Sequence, residues 1–268
     1  RWPSERASSS SSGFALATAM PLSNSRNMAA SLPVSPATTT FPESRPFCSI
    51  RKRMAFPLPD EISIEQGAIL MCSSATCFHA LRKGRLQAGE TVAVFGVGGL
   101  GISAVQLARA FGALDVYAVD INPDKLTLAE GLGAIPINAT EADPVAEIRR
   151  LTSGRGVDVA LEVIGLPLTM QQAVDSLAKF GRAVIVGVTD GSFEIAPYTQ
   201  LIPTEAEIIG SSDHLAQELP ELIELARRGT LDLSSVVTDT LPLDAEAINK
   251  AMDRLEHFGE DIRVVITP

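Results

Sequence analysis

The fold is decided by Thr91-Val92-Ala93-Val94-Phe95 running straight into Gly96-Val97-Gly98-Gly99-Leu100-Gly101, followed by a second apolar run, Asp115-Val116-Tyr117-Ala118-Val119-Asp120. Gly96, Gly98 and Gly101 stand at G-x-G-x-x-G spacing, after an expected strand and before a helix expected over Leu100 to Phe111. In that motif the first glycine permits a tight turn, the second lets backbone approach a pyrophosphate, and the third lets helix pack on strand. Gly99 and Leu100 complete the turn. The helix N-terminus offers free N–H groups and the positive end of its dipole to the phosphates, so no lysine is needed there.

Asp120 lies 19 residues past Gly101, where a carboxylate accepts the hydroxyls of the adenosine ribose. The same charge repels a 2′-phosphate, and no arginine follows within the next ten residues to receive one. NAD is therefore favoured over NADP. Lys125 can reach the same ribose from the start of the next helix.

Working outward, Asn122 caps a helix that has Pro123 at its first position and runs to about Leu132. Ile135 to Asn138 reads as a short strand whose Pro136 suits a sheet edge. Pro144 to Thr152 reads as a helix, Val157 to Val163 as the fourth strand and Thr169 to Lys179 as a helix. Ala183 to Val188 is a fifth strand too apolar to face water, and Glu207 to Gly210 is the sixth. Strands buried on both faces and alternating with helices specify an α/β fold, a doubly wound six-stranded parallel sheet of Rossmann type in 3-2-1-4-5-6 order. Upstream, Glu65 to Leu81 is helical. Downstream, the pattern predicts helices over Leu219 to Arg228, with Pro220 in the first turn, and over Ala245 to His257, and strands over Val236 to Leu241 and Ile262 to Ile266. These last elements lie beyond the six-stranded unit.

Composition is uneven. Residues 1–54 carry seven Lys/Arg against two acids, whereas the rest carries 15 against 30. The acidic part argues against nucleic acid or an anionic membrane as partner, and no apolar run reaches the roughly 18 residues of a membrane span. Residues 1–54 contain an unbroken Ser8 to Ser12 and no sustained period, so no packed structure is expected there. They read as an organelle transit peptide, an out-of-frame reading or a gene-model residue. Cys48, Cys72 and Cys77 do not make a disulfide framework, and a reducing, cytoplasmic setting fits, or an organellar one if the leader is a transit peptide.

Several stretches together resemble the medium-chain dehydrogenase/reductase superfamily, particularly its zinc-dependent alcohol dehydrogenase branch. They are Phe56-Pro57-Leu58-Pro59-Asp60, Cys72-Ser73-Ser74-Ala75-Thr76, Gly89-Glu90-Thr91-Val92, the glycine turn, Val163-Ile164-Gly165, Val186-Gly187-Val188 and Ile262-Arg263-Val264-Val265. The resemblance covers roughly residues 55–268. It implies a catalytic-domain remnant over 55–72, an NAD-binding Rossmann domain over 73–211 and a C-terminal catalytic-domain segment over 212–268.

The resemblance also implies roles. Cys72 matches a ligand of the catalytic zinc, a role that suits a thiolate. Asp120 and Lys125 would hold the adenosine ribose and Arg263 the pyrophosphate. Val163, the Val186 to Val188 strand end and the backbone near Ile209 would surround the nicotinamide, and Thr76 would approach its face. Cys48 and Cys77 have no matching role. The family also pairs into dimers through the edge of the coenzyme sheet, here near Ile208.

One departure is large. An intact member begins with a GroES-like barrel that supplies further zinc ligands, including a Gly-His-Glu segment. Here the only histidines, His79, His214 and His257, are isolated in sequence and no Cys-x-x-Cys exists. A catalytic zinc needs three protein ligands, and this sequence offers one. The expectation is therefore a chain that binds NAD, does not retain zinc, and oxidises an alcohol or reduces a carbonyl weakly or not at all by itself. Apolar surface around Ile69, Leu70, Met71 and the tail helices is expected to be exposed and to limit solubility.

Two alternatives stay open: a non-catalytic NAD-binding module, and a zinc-free quinone or enoyl reductase, against which Asp120 and Cys72 both speak. A short-chain dehydrogenase is excluded, because Tyr117 and Tyr198 are followed four residues on by Ile121 and Ile202 rather than lysine.

Overall fold

Thr91, Val92, Ala93, Val94 and Phe95 are all buried, as expected of a strand with helices on both faces. In the computed structural model this strand is the centre of the main sheet. The structure describes residues 38–39, 50–51, 55–234, 236–256 and 262–267. Most of the leader, with Cys48, and the position of His257 lie outside the described residues.

The chain divides into two compact units, Arg1–Lys52 and Arg53–Pro268. In the first, β1 (Thr38–Thr39) pairs antiparallel with β2 (Ile50–Arg51).

The second unit opens with α1 (Ile64–Ile69), a π-helical turn (Leu70–Ser74) and α2 (Ala75–Lys83). Six strands then follow with helices between them: β3 (Thr91–Phe95), α3 (Gly99–Ala110), β4 (Asp115–Asp120), α4 (Pro123–Gly131), β5 (Ile135–Asn138), α5 (Pro144–Leu151), β6 (Val157–Glu162), α6 (Pro167–Asp175), β7 (Leu177–Ile185) and β8 (Glu207–Gly210). The sheet order is β5-β4-β3-β6-β7-β8 and every pairing is parallel, which is the expected 3-2-1-4-5-6 arrangement. Pro136 lies on the edge strand β5, where its missing N–H costs no ladder bond. The tail adds α7 (Leu219–Arg227), β9 (Val237–Pro242), α8 (Ala245–Glu256) and β10 (Arg263–Thr267), with β9 and β10 paired parallel in a sheet of their own.

Local chemistry explains the boundaries. The Asn122 side chain accepts from the N–H groups of Asp124 and Lys125, and Asp143 caps α5 in the same way. Ser63 and Gln66 form a reciprocal capping box at the start of α1. Gly229, with φ +71, ends α7.

Three expectations are corrected. The helix read over Thr169 to Lys179 stops at Asp175, and Leu177 and Ala178 are buried in β7, where Leu177 pairs with Val157. β7 ends at Ile185, so Val186, Gly187 and Val188 form a loop beyond it, and Val188 is 92% exposed instead of shielded. The apolar surface expected around Ile69 and Leu70 is covered. Both join the core with Leu219, Leu222 and Val265 from the tail, and only Met71, 46% exposed, faces outward.

Candidate functional site

The three motif glycines meet different surroundings. Gly96 has φ +94, and a Cβ there would stand 2.5 Å from Ile164 Cγ1, so both conformation and space demand glycine. A Cβ on Gly101 would overlap the carbonyl oxygen of Gly96, which fixes how closely α3 packs on the turn. At Gly98 a Cβ would meet no atom within 4 Å. The middle glycine therefore faces open space at the N-terminus of α3, where backbone donors and the helix dipole favour an anion.

Two segments distant in sequence frame that space. The guanidinium of Arg263, from β10, lies directly over Gly99, with Nη2 3.5 Å from Ser73 Oγ and Nε buried without a partner. Ser73 Oγ donates to the Gly99 carbonyl at 2.5 Å, Ser74 and Ser103 hydroxyls lie 3.1 Å apart, and the Cys77 thiol donates to the Leu100 carbonyl at 3.0 Å. The π turn thus docks on the first turn of α3. Burial pushes the Cys77 thiol up to about 12, so Cys77 is a structural thiol.

Asp120 closes β4 beside the turn. Its Oδ2 accepts from Val97 N–H at 2.8 Å, and its Oδ1 accepts from Ile121 and Asn122 N–H at 2.8 and 2.9 Å. Lys125 sits half-buried in the first turn of α4. Asp120 therefore organises the glycine turn as well as standing at its rim, and its lone pairs are not exhausted by these bonds.

On the other side of β3, Val163 is half-buried and its N–H donates to the Phe95 carbonyl at 3.1 Å. Val186, just past β7, and Ile209, near the end of β8, are half-buried. Thr76 is 6% exposed in the first turn of α2.

Sequence reasoning missed Glu162. It is 0% exposed, and its Oε1 accepts from Ile164 N–H (3.0 Å), Gly165 N–H (2.8 Å) and the Thr169 hydroxyl (2.7 Å). Its Oε2 is buried without a partner. An acid closing the mostly apolar run Val159-Ala160-Leu161 was the available signal. Ser211, just past β8, likewise buries a hydroxyl without a partner. Among the described residues four buried side-chain polar atoms lack partners. Three of them, on Arg263, Glu162 and Ser211, belong to the glycine turn and the C-terminal strand ends, where ligands of open α/β sheets bind.

Cys72 is exposed in the π turn, and among the described residues no three His, Cys, Asp or Glu side chains gather into a metal-binding cluster. The residues described here do not by themselves fit a zinc ion. The histidines are less isolated in space than in sequence. His79 Nδ1 lies 3.1 Å from both carboxylate oxygens of the buried Glu218, and His214 Nδ1 lies 2.6 Å from Asp213. An open groove of about 820 Å³ lined by Phe78, Arg82, Phe111 and Glu221, among others, shares no residue with the glycine crevice.

Comparison with known proteins agrees with this geometry. A family model described as zinc-binding dehydrogenase matches residues 99–228. The chain is 36% identical over 225 residues to (R,R)-butanediol dehydrogenase of Bacillus subtilis, covering 83% of this chain and 63% of that protein. It is 35% identical to an NAD-dependent alcohol dehydrogenase of Sulfurisphaera tokodaii, covering 77% of this chain and 59% of the other. The crystal structure of 2R,3R-butanediol dehydrogenase from Bacillus subtilis superposes with a TM-score of 0.73 at 36% identity, over 80% of this chain and 60% of that one. The chain thus spans about three fifths of the length of the relatives it matches. With its glycine turn, acid-terminated β4 and parallel sheet, the chain belongs to the zinc-dependent, alcohol dehydrogenase-like medium-chain dehydrogenases/reductases and carries their NAD-binding domain.

Proposed function

We propose that the crevice of this chain binds NAD and serves hydride transfer between an alcohol and the corresponding carbonyl. The observation that carries the reading is the open space over Gly98, bordered by the α3 N-terminus and the unpaired Arg263 Nε, with the Asp120 carboxylate at its rim.

Each residue has a part. Backbone N–H groups at Gly98, Gly99, Leu100 and Gly101 face one side of the pyrophosphate and Arg263 the other. Asp120 and Lys125 bind the adenosine ribose. Topology supports the rest: β4 lies on one side of β3, and β6 and β7 lie on the other. A dinucleotide with its adenosine at β4 and its phosphates at the turn after β3 lays its second nucleotide over the ends of β6 and β7. Val163, Val186, Val188 and Ile209 border that region, and Thr76 faces the ring. NAD when bound supplies the hydride acceptor. The protein binds, orients and keeps water from the ring.

Cys72 is the one described residue proposed as a zinc ligand. The free edge at β8, with Ile208 partly exposed, is proposed to pair with a second copy.

Titration of the chain with NADH and NADPH tests the reading. Saturable NADH binding, with NADPH at least about tenfold weaker because of Asp120, is expected. Absence of NADH binding, or equal affinity for the two, would overturn it. Alcohol-dependent NADH formation with zinc supplied separates an enzyme from a module that only binds NAD.

A further inference from the structure

We infer that Glu162 is the positioning residue for the nicotinamide end of the crevice, setting from below the shape of two loops on which that ring would rest. The inference builds on the proposed NAD site and goes beyond it, because Glu162 need touch no part of the cofactor.

The two loops, 163–165 after β6 and 186–188 after β7, interlock through glycines. Gly165 has φ +94, and a Cβ on it would overlap the Val188 carbonyl oxygen. A Cβ on Gly187 would overlap the Gly165 N–H and would stand 2.7 Å from Glu162 Oε2. Glu162 lies beneath this junction and holds both sides. Its side chain takes the Ile164 and Gly165 N–H groups, while its backbone carbonyl takes the N–H groups of Val186 (2.9 Å) and Gly187 (3.1 Å). The Thr169 hydroxyl ties the same carboxylate to α6. The reach extends to the glycine turn, since Ile164 packs against Gly96.

A fully buried carboxylate is costly unless its donors are well placed, and two apolar branches would have been cheaper here if stability alone mattered. Glutamate fits for a specific reason. Oε1 accepts three converging donors, and Oε2 presents no hydrogen toward the close-packed Gly187. Glutamine keeps the first property and loses the second, because its amide would turn two hydrogens toward the glycine junction.

The full chain is titrated with two probes, NADH and ADP-ribose, which lacks the nicotinamide. NADH is followed by nicotinamide fluorescence, ADP-ribose by calorimetry, and folding by thermal unfolding. For Glu162→Ala the NADH dissociation constant should rise about tenfold with loss of the bound-state fluorescence change, while that for ADP-ribose stays within about twofold. Glu162→Gln, which fills the same volume, should move NADH in the same direction by about threefold and decides the matter if the alanine variant does not fold. Equal changes for both probes, or none for either, would overturn the inference and leave NAD binding intact. A parent chain that binds neither probe would instead overturn the NAD reading, and the inference with it.

Discussion

The Asp120 carboxylate accepts the backbone N–H of Val97, inside the glycine turn, at 2.8 Å, so the acid that ends β4 also shapes the loop that ends β3. Its other oxygen holds the N–H groups of Ile121 and Asn122 at the entrance to α4. One side chain thus couples the glycine turn to the entrance of α4.

Replacing Asp120 with alanine should consequently do two things. Three N–H groups lose their acceptor, which costs about 1–3 kcal/mol where water does not replace it. Affinity for NADH falls while that for NADPH is retained or improved, narrowing the preference. Denaturant unfolding and paired titrations read the two effects, and an unaltered NADH to NADPH ratio would contradict the role.

The glycines separate stability from binding. Gly101→Ala forces a Cβ into the Gly96 carbonyl and should destabilise the chain by about 1–3 kcal/mol. Gly98→Ala meets nothing and has φ −74, open to any residue, so stability should stay within about 0.5 kcal/mol. Its NADH affinity should nevertheless fall at least about tenfold, because the methyl group occupies the space proposed for the phosphates. Thermal unfolding beside NADH titration checks the pair.

Asp158 gives a pH dependence. Burial raises its pKa, but hydrogen bonds from Arg155 and from the Thr91 N–H and hydroxyl outweigh this and hold it down at about 2, against 3.8 unperturbed. A depressed carboxylate contributes stability that is complete above its unfolded pKa and is lost as pH falls through the folded one. With partial exposure and screening, the contribution is roughly 1 kcal/mol. Urea midpoints of the parent and Asp158→Asn should differ at pH 6 and converge between pH 4 and pH 2. A constant gap across that window would rule the linkage out.

The cysteines should react unequally. Cys72 is exposed, whereas Cys77 is buried with its thiol on the Leu100 carbonyl. Brief iodoacetamide treatment followed by peptide mapping should label Cys72 and spare Cys77 until denaturant is added. Equal labelling in the folded chain would refute that placement.

Where local chemistry was unambiguous, reading the chain was enough. β3, β4, β5 and β8 begin and end where their β-branched runs and flanking turn residues place them. The end of α6 was not legible, because Leu177, Ala178 and Lys179 are good helix formers and only pairing of Leu177 with Val157 pulls them into β7. The π turn escaped notice for a similar reason. Its residues follow helical periodicity, and the hydrogen bonds of Ser73 and Ser74 to α3, 26 and 29 residues away, reward the altered winding.

By itself, then, the sequence determined the parallel sheet, the glycine turn and the acid at its rim, since these depend on residue type, spacing and period within a single βαβ unit. Tertiary structure alone decided that Arg263 lies over Gly99, that His79 meets Glu218 across 139 positions, and that Glu162 joins the two loops at the far end of the crevice. Such contacts are made by segments with no local preference for one another, and only packing of the whole core brings their donors and acceptors within reach.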